Sequence, residues 1–175
     1  MAKSKKSSSW VSPSGNYWLV KSEPDVFSID DLINANRQTT CWDGVRNYQA
    51  RNTLRDSMKV GDFVLFYHSN AKPPGVAGVV KVVREGYPDP TAFDPEDPHF
   101  DPKSKRDQPT WMMVDLQFVE KFEQELGLPE LKSMPELKDM QLLQRGSRLS
   151  VQSVRPAEFQ TVVKAARSAS KKAVR

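Results

Sequence analysis

The chain has a single cysteine, Cys41, so no disulfide can form within it. That usage fits a reducing compartment. Histidine is nearly absent, with two in 175 residues, and no Cys/His spacing of a metal site occurs. No apolar run approaches the roughly 20 residues that a membrane span requires. The opening MAKSKKSSSW is basic but has no apolar stretch behind it, so it does not read as a secretory signal. The motifs that carry most enzymatic chemistry are also missing: there is no nucleophile elbow, no phosphate-binding loop and no paired histidines. These absences leave an intracellular protein without cofactor, metal or membrane.

What is present is a globular composition, 38% hydrophobic and 27% charged. A chain of this length buries roughly two-thirds of its unfolded surface, enough for one core. The net charge of +4 is unevenly placed. Residues 1–16 carry Lys3, Lys5 and Lys6 and no acid. Residues 163–175 carry Lys164, Arg167, Lys171, Lys172 and Arg175 and no acid. Removing the +3 and +5 of these ends from the total leaves −4 over residues 17–162. Both ends read as disordered basic tails, 1–16 and 164–175, around a folded body at 17–163. Such tails either attract nucleic acid weakly or only aid solubility.

Within the body, Tyr17–Val20 reads as a buried strand, and Ser28 with Asp31 as a helix N-cap. Asn47–Met58 repeats Ala50, Leu54 and Met58 at helical spacing. Phe63–His68 is apolar on both faces and so central in a sheet. Val76–Val83 follows, with Gly78 marking a bulge or close backbone approach. Residues 86–110 form a long irregular segment with six of the thirteen prolines, and loops of that length are commonly functional. Trp111–Val119 is a further strand, Leu126–Leu143 two short helices, Leu149–Val154 a late strand, and Ala157–Val163 a closing helix. The fold class is α+β: a small curved β-barrel of five to six mostly antiparallel strands with helices around it.

Three stretches could carry chemistry. In Cys41-Trp42-Asp43-Gly44-Val45-Arg46-Asn47, the indole offers a stacking face, the turn offers backbone donors, and Asn47 can read a donor–acceptor edge. Tyr67-His68-Ser69-Asn70 closes the central strand, where sites are often built. Lys21 and Ser22 end the first strand and suit an anionic group. Each has a plain alternative: Trp42 as core, His68 as a turn residue satisfying backbone, Lys21-Ser22 as a polar turn. Glu23, Asp43 and His68 are the residues a catalyst would need, and nothing in the sequence brings them together.

The segments YWLVKSEP, CWDGVRNYQARN, GDFVLFYHSN, Pro74–Val83 and RLSVQSV occur in this order over residues 17–163. In this the chain resembles the EVE domain family. The resemblance implies a PUA-like fold, binding of a modified nucleobase in DNA or RNA, and no established catalysis. By likeness to the related YTH modules, Lys21 and Ser22 would lie near the phosphate and Trp42 would wall an aromatic cage. Asn47 would read an edge, Tyr67, His68, Ser69 and Asn70 would line the floor, and Phe93, Phe100 or Trp111 would be the second wall. Arg51 and Arg55, with Arg46, would meet the backbone. Two other functions fit the same residues: a sensor for a nucleoside-like small molecule, and a nucleotide hydrolase using Glu23 or His68. The implied protein is a monomer, nuclear if its source is a eukaryote and otherwise cytoplasmic.

Overall fold

A computed structural model describes residues 10–173. Six strands form one sheet: β1 (Tyr17–Ser22), β2 (Thr39–Cys41), β3 (Phe63–His68), β4 (Gly75–Pro88), β5 (Met112–Gly127) and β6 (Val151–Val154). Four α-helices accompany them: α1 (Ile29–Asn34), α2 (Tyr48–Asn52), α3 (Leu128–Lys132) and α4 (Pro156–Ala173). The spatial order is β2-β5-β4-β3-β1-β6. The β1–β3 pair is parallel and the other four pairings are antiparallel. This is the expected α+β class with mostly antiparallel strands. The sheet stays open, with β2 and β6 as its edges.

Side-chain alternation divides the core into two layers. Trp18, Val20, Val64 and Phe66 point to the face covered by α1, α2 and Trp42. Tyr17, Leu19, Leu65 and Tyr67 point to the other face, under Phe159, Val162 and Val163 of α4. β3 lies between β4 and β1, as its two apolar faces require. Phe66 is fully buried, a side chain whose transfer from water contributes roughly 1.5–3 kcal/mol. β4 and β5 pair through several register shifts, one of them at Gly78. A Cβ there would collide with the Glu120 carbonyl and the Ile29 side chain. Ser28 and Asp31 complete a reciprocal capping box at α1.

Three boundaries differ from the sequence reading. First, part of the expected N-terminal tail is folded. Trp10 is buried against Phe63 and Phe159, and the Ser12 hydroxyl accepts from the Phe63 N–H at 2.9 Å. Second, α4 continues through most of the expected C-terminal tail. Arg167 there pairs with Glu120 at 2.8 Å and lies over the Trp10 ring. The remaining tail residues, 1–9 and 174–175, fall outside the described residues. Third, β5 runs to Gly127, so only α3 and two short 3-10 turns occupy the leucine-rich segment. Among the described residues, no helix is long and apolar enough to cross a membrane.

Candidate functional site

After β2 the chain runs from Trp42 to Asn47 without regular structure before entering α2. The Trp42 N–H donates to the Val114 carbonyl at 2.7 Å. Its indole stands edge-on to Phe66 and Phe27, with centroids 5.6 and 6.5 Å away. Gly44 has φ +76°, a conformation that costs glycine little. Its N–H donates to the Asp89 carboxylate at 2.8 Å.

Asp89, fully buried, holds this segment in place. One oxygen accepts from Gly44 N–H and Arg46 Nη1, and the other from the Thr91 N–H and hydroxyl. Burial alone would raise the Asp89 pKa. The bonds from Thr91, Arg46 and Gly44 outweigh it and hold the carboxyl below the usual range. Arg46 also donates to the His99 carbonyl at 2.9 Å, which ties the proline-rich loop to the segment. The His99 ring then rests on Gly44, where an added Cβ would lie 2.8 Å from Cε1 and Nε2. Asp97 sits 3.1 Å from His99 Nδ1 and so orients the ring.

These pieces enclose an open pocket of about 650 Å³ at the C-terminal end of β1. Lys21, Ser22 and Glu23 form one side, Val26 and Phe27 another, and Thr40 through Arg46 the wall opposite, with His99 and Ser150 at the rim. Burial lowers the pKa of Lys21, whose ammonium donates to the Ser147 carbonyl at 3.2 Å. Burial, then the negative charge of Asp89, raises that of Asp43. Cys41 is exposed rather than the buried thiol a small apolar residue suggests. The residue is exposed but its sulfur is partly shielded, and this with the Asp43 and Asp115 carboxylates pushes its pKa up, which favours the thiol and makes it a poor nucleophile.

The pocket brings together Lys21, Ser22, Trp42, Asp43, Gly44, Val45 and Arg46 among the residues singled out from sequence. Cys41 and Glu23 line it too, and the remaining residues proposed for base or backbone contact stand outside it. Asn47 caps α2, its side-chain oxygen accepting from the Ala50 N–H. Tyr67 faces the α4 layer. His68 is buried: Nε2 accepts from the Ile29 N–H, which leaves the proton on Nδ1, 2.6 Å from Glu125. The Ser69 N–H donates to the Ser22 carbonyl, and Asn70 makes a turn at φ 51°. Trp111 is buried with its indole N–H on Asp101, under Arg46. Phe93 carries Arg106 over its ring, and Phe100 is exposed away from the pocket lining. Arg51 donates to the Thr110 carbonyl and Asn52, and Arg55 pairs with Asp56. Phe27, His99 and Asp89 were not foreseen. Of the three candidate catalytic residues, Glu23 and Asp43 line the pocket and His68 does not. Among the described residues no cluster suits a metal ion.

The EVE domain model matches residues 16–165. The chain belongs to the EVE domain family. It is 49% identical to human thymocyte nuclear protein 1 over 165 residues, 85% of this chain and 72% of the human one. Two solved structures share the fold closely. A hypothetical protein from Leishmania major superposes with a TM-score of 0.83 at 49% identity, over 89% of this chain and 96% of that one. The human THYN1 protein, crystallised in complex with DNA containing 5-methylcytosine, gives 0.82 at 49%, over 86% and 97%. A YTH domain from Zygosaccharomyces rouxii, in complex with N6-methyladenosine RNA, gives 0.51 at 11% identity. That likeness is one of fold alone.

Proposed function

We propose that this chain binds DNA and holds a modified base, 5-methylcytosine first among the candidates, in the Trp42 pocket. The observation that carries the reading is the aromatic wall of Trp42 and Phe27 in an open pocket of about 650 Å³ with Lys21 at its edge. The human relative in complex with methylcytosine DNA, at 49% identity, supports the choice of partner. Stacking on an aromatic ring is worth roughly 1–3 kcal/mol per base. A methyl group in a fitted pocket adds roughly 1–3 kcal/mol of discrimination. The name of the human relative supports a nuclear location.

Phosphate contacts need cations that are not already committed. Arg51 and Arg55 are committed elsewhere. Arg145 and Arg148 are exposed and make no ion pair among the described residues. They flank Ser147, whose carbonyl accepts from Lys21, which sets them close to Lys21 though outside the pocket lining. With Lys21 they supply three phosphate contacts at the mouth.

The test is a titration of duplexes with and without one 5-methylcytosine, using the wild type and Trp42→Ala at two salt concentrations. Three phosphate contacts predict that a fourfold rise in salt weakens binding roughly 40-fold. The expected result is a preference for the methylated duplex that Trp42→Ala removes. Binding blind to the methyl group and to Trp42 contradicts the reading. A free nucleoside is the second occupant to consider, favoured by the net charge of −4 over residues 17–162. It predicts binding that salt barely changes.

A further inference from the structure

Resting on the reading above, the pocket must solve one more problem. Thymine carries the same 5-methyl group as 5-methylcytosine and abounds in DNA, so neither stacking nor a methyl niche separates the two. They differ at position 4: cytosine presents an amino group that donates, thymine a carbonyl that only accepts.

The pocket's hydrogen-bonding groups are already sorted. Most donors are spent inside the protein. Each of the three Arg46 nitrogens donates, to His99 and Val45 carbonyls, Asp89 and Thr91. The Gly44 N–H serves Asp89, the Trp42 N–H serves Val114, and the Ser22 hydroxyl serves the Phe27 carbonyl. Asp43 differs. It is next to Trp42 on the pocket wall, and among the described residues its carboxylate meets only its own backbone N–H. An ionised carboxylate accepts only. His99, whose Nδ1 lies 3.1 Å from Asp97, stands on the same rim. The Asp43 carboxylate is therefore the free charged acceptor beside the indole, next to the Trp42 indole N–H as a free donor.

We propose that Asp43 is the specificity-determining residue of this pocket, accepting from the 4-amino group of cytosine and rejecting the 4-carbonyl of thymine and uracil. A thymine at the same position sets its O4 against the carboxylate, where two acceptors meet and repel. A partner that leaves polar groups unpaired is rejected more strongly than one lacking a methyl group. The Asp43 residue is largely exposed, its carboxyl partly shielded on the pocket wall, and it bonds no other described residue, so Asp43→Asn preserves shape and fold. The amide can turn to offer either its oxygen or its nitrogen, and so serves both bases.

The experiment uses duplexes in which the probed base, 5-methylcytosine or thymine, faces an abasic site, so that pairing energy is the same for both. The wild type is expected to prefer 5-methylcytosine roughly tenfold to a hundredfold, the range of an edge contact. In Asp43→Asn the ratio is expected to fall to within about threefold, mainly because thymine binds better. A wild-type ratio near one, or a ratio that survives Asp43→Asn, overturns the assignment. If Trp42→Ala still weakens binding in that case, the base-pocket reading stands without it. If Trp42→Ala changes nothing, the base-pocket reading itself has failed.

Discussion

Asp89→Ala is expected to destabilise the protein by about 3–5 kcal/mol, the cost of removing one partner from a buried charged network. The Asp89 carboxylate accepts four hydrogen bonds, from Gly44, Arg46 and twice from Thr91, and is fully buried. Its loss leaves the Arg46 guanidinium, half-shielded from water, beside two unsatisfied backbone donors. Segment 42–46 then keeps only the Arg46 bonds to His99 and Thr91 as tethers to the proline-rich loop, and the pocket wall loosens. Asp89→Asn keeps the shape but turns an amide nitrogen toward one pair of donors, so it should cost less, about 1–3 kcal/mol. Urea unfolding of the three proteins measures both values. The pH sign follows from the lowered pKa. A carboxyl whose folded pKa is depressed stabilises above its unfolded pKa, near 3.8 for an aspartate. That contribution is lost as pH falls through the lower folded value. The gap between wild type and Asp89→Asn should therefore be full at neutral pH and close in strong acid. A loss below 1 kcal/mol for Asp89→Ala at neutral pH contradicts the role given to it.

Trp42→Ala should have two separable effects. Trp42 is buried against Phe66 and Phe27, so truncation costs about 3–5 kcal/mol of stability. Removing the stacking face should also weaken modified-base binding by about 1–3 kcal/mol, roughly 5-fold to 150-fold. Trp42→Phe separates the two. It retains an aromatic ring against Phe66 and most of the packing, while the stacking area shrinks. Intermediate affinity with a near-native thermal midpoint is expected. Unchanged affinity in Trp42→Ala, measured well below its thermal midpoint, contradicts a stacking role.

Local features of the fold were legible because they depend on nearest neighbours. The buried run Tyr17–Val20, the two apolar faces of Phe63–His68 and the Ser28–Asp31 box all appear as read. The end of β5 was not legible. Val119, Phe122 and Leu126 are spaced as on a helix, because register shifts against β4 break the period of two. Trp10 was missed because the residues before it are polar and its partners, Phe63 and Phe159, are remote in sequence. In the site, the CWDGVR stretch stood out by its chemistry. Tyr67 was placed on the wrong face, although parity was available: Phe66 faces Trp42, so Tyr67 faces away. Asp89 and His99 left no local signal. One is an ordinary aspartate after Pro88 and the other a loop histidine, and each gains meaning only when 45 or more residues of chain bring it to Gly44.

The central claim is that a base enters the Trp42 pocket, and indole N–H signals in a nitrogen–proton NMR spectrum test it most directly. The four tryptophans are well separated in environment: Trp18 donates to Asp62, Trp111 to Asp101, Trp10 lies under Arg167, and Trp42 lines the pocket. Trp42→Phe assigns the fourth signal. On titration with a duplex carrying 5-methylcytosine, the Trp42 signal should shift most and saturate with the binding curve, while the Trp18 signal stays in place. A Trp42 signal that does not move while the duplex binds contradicts the account.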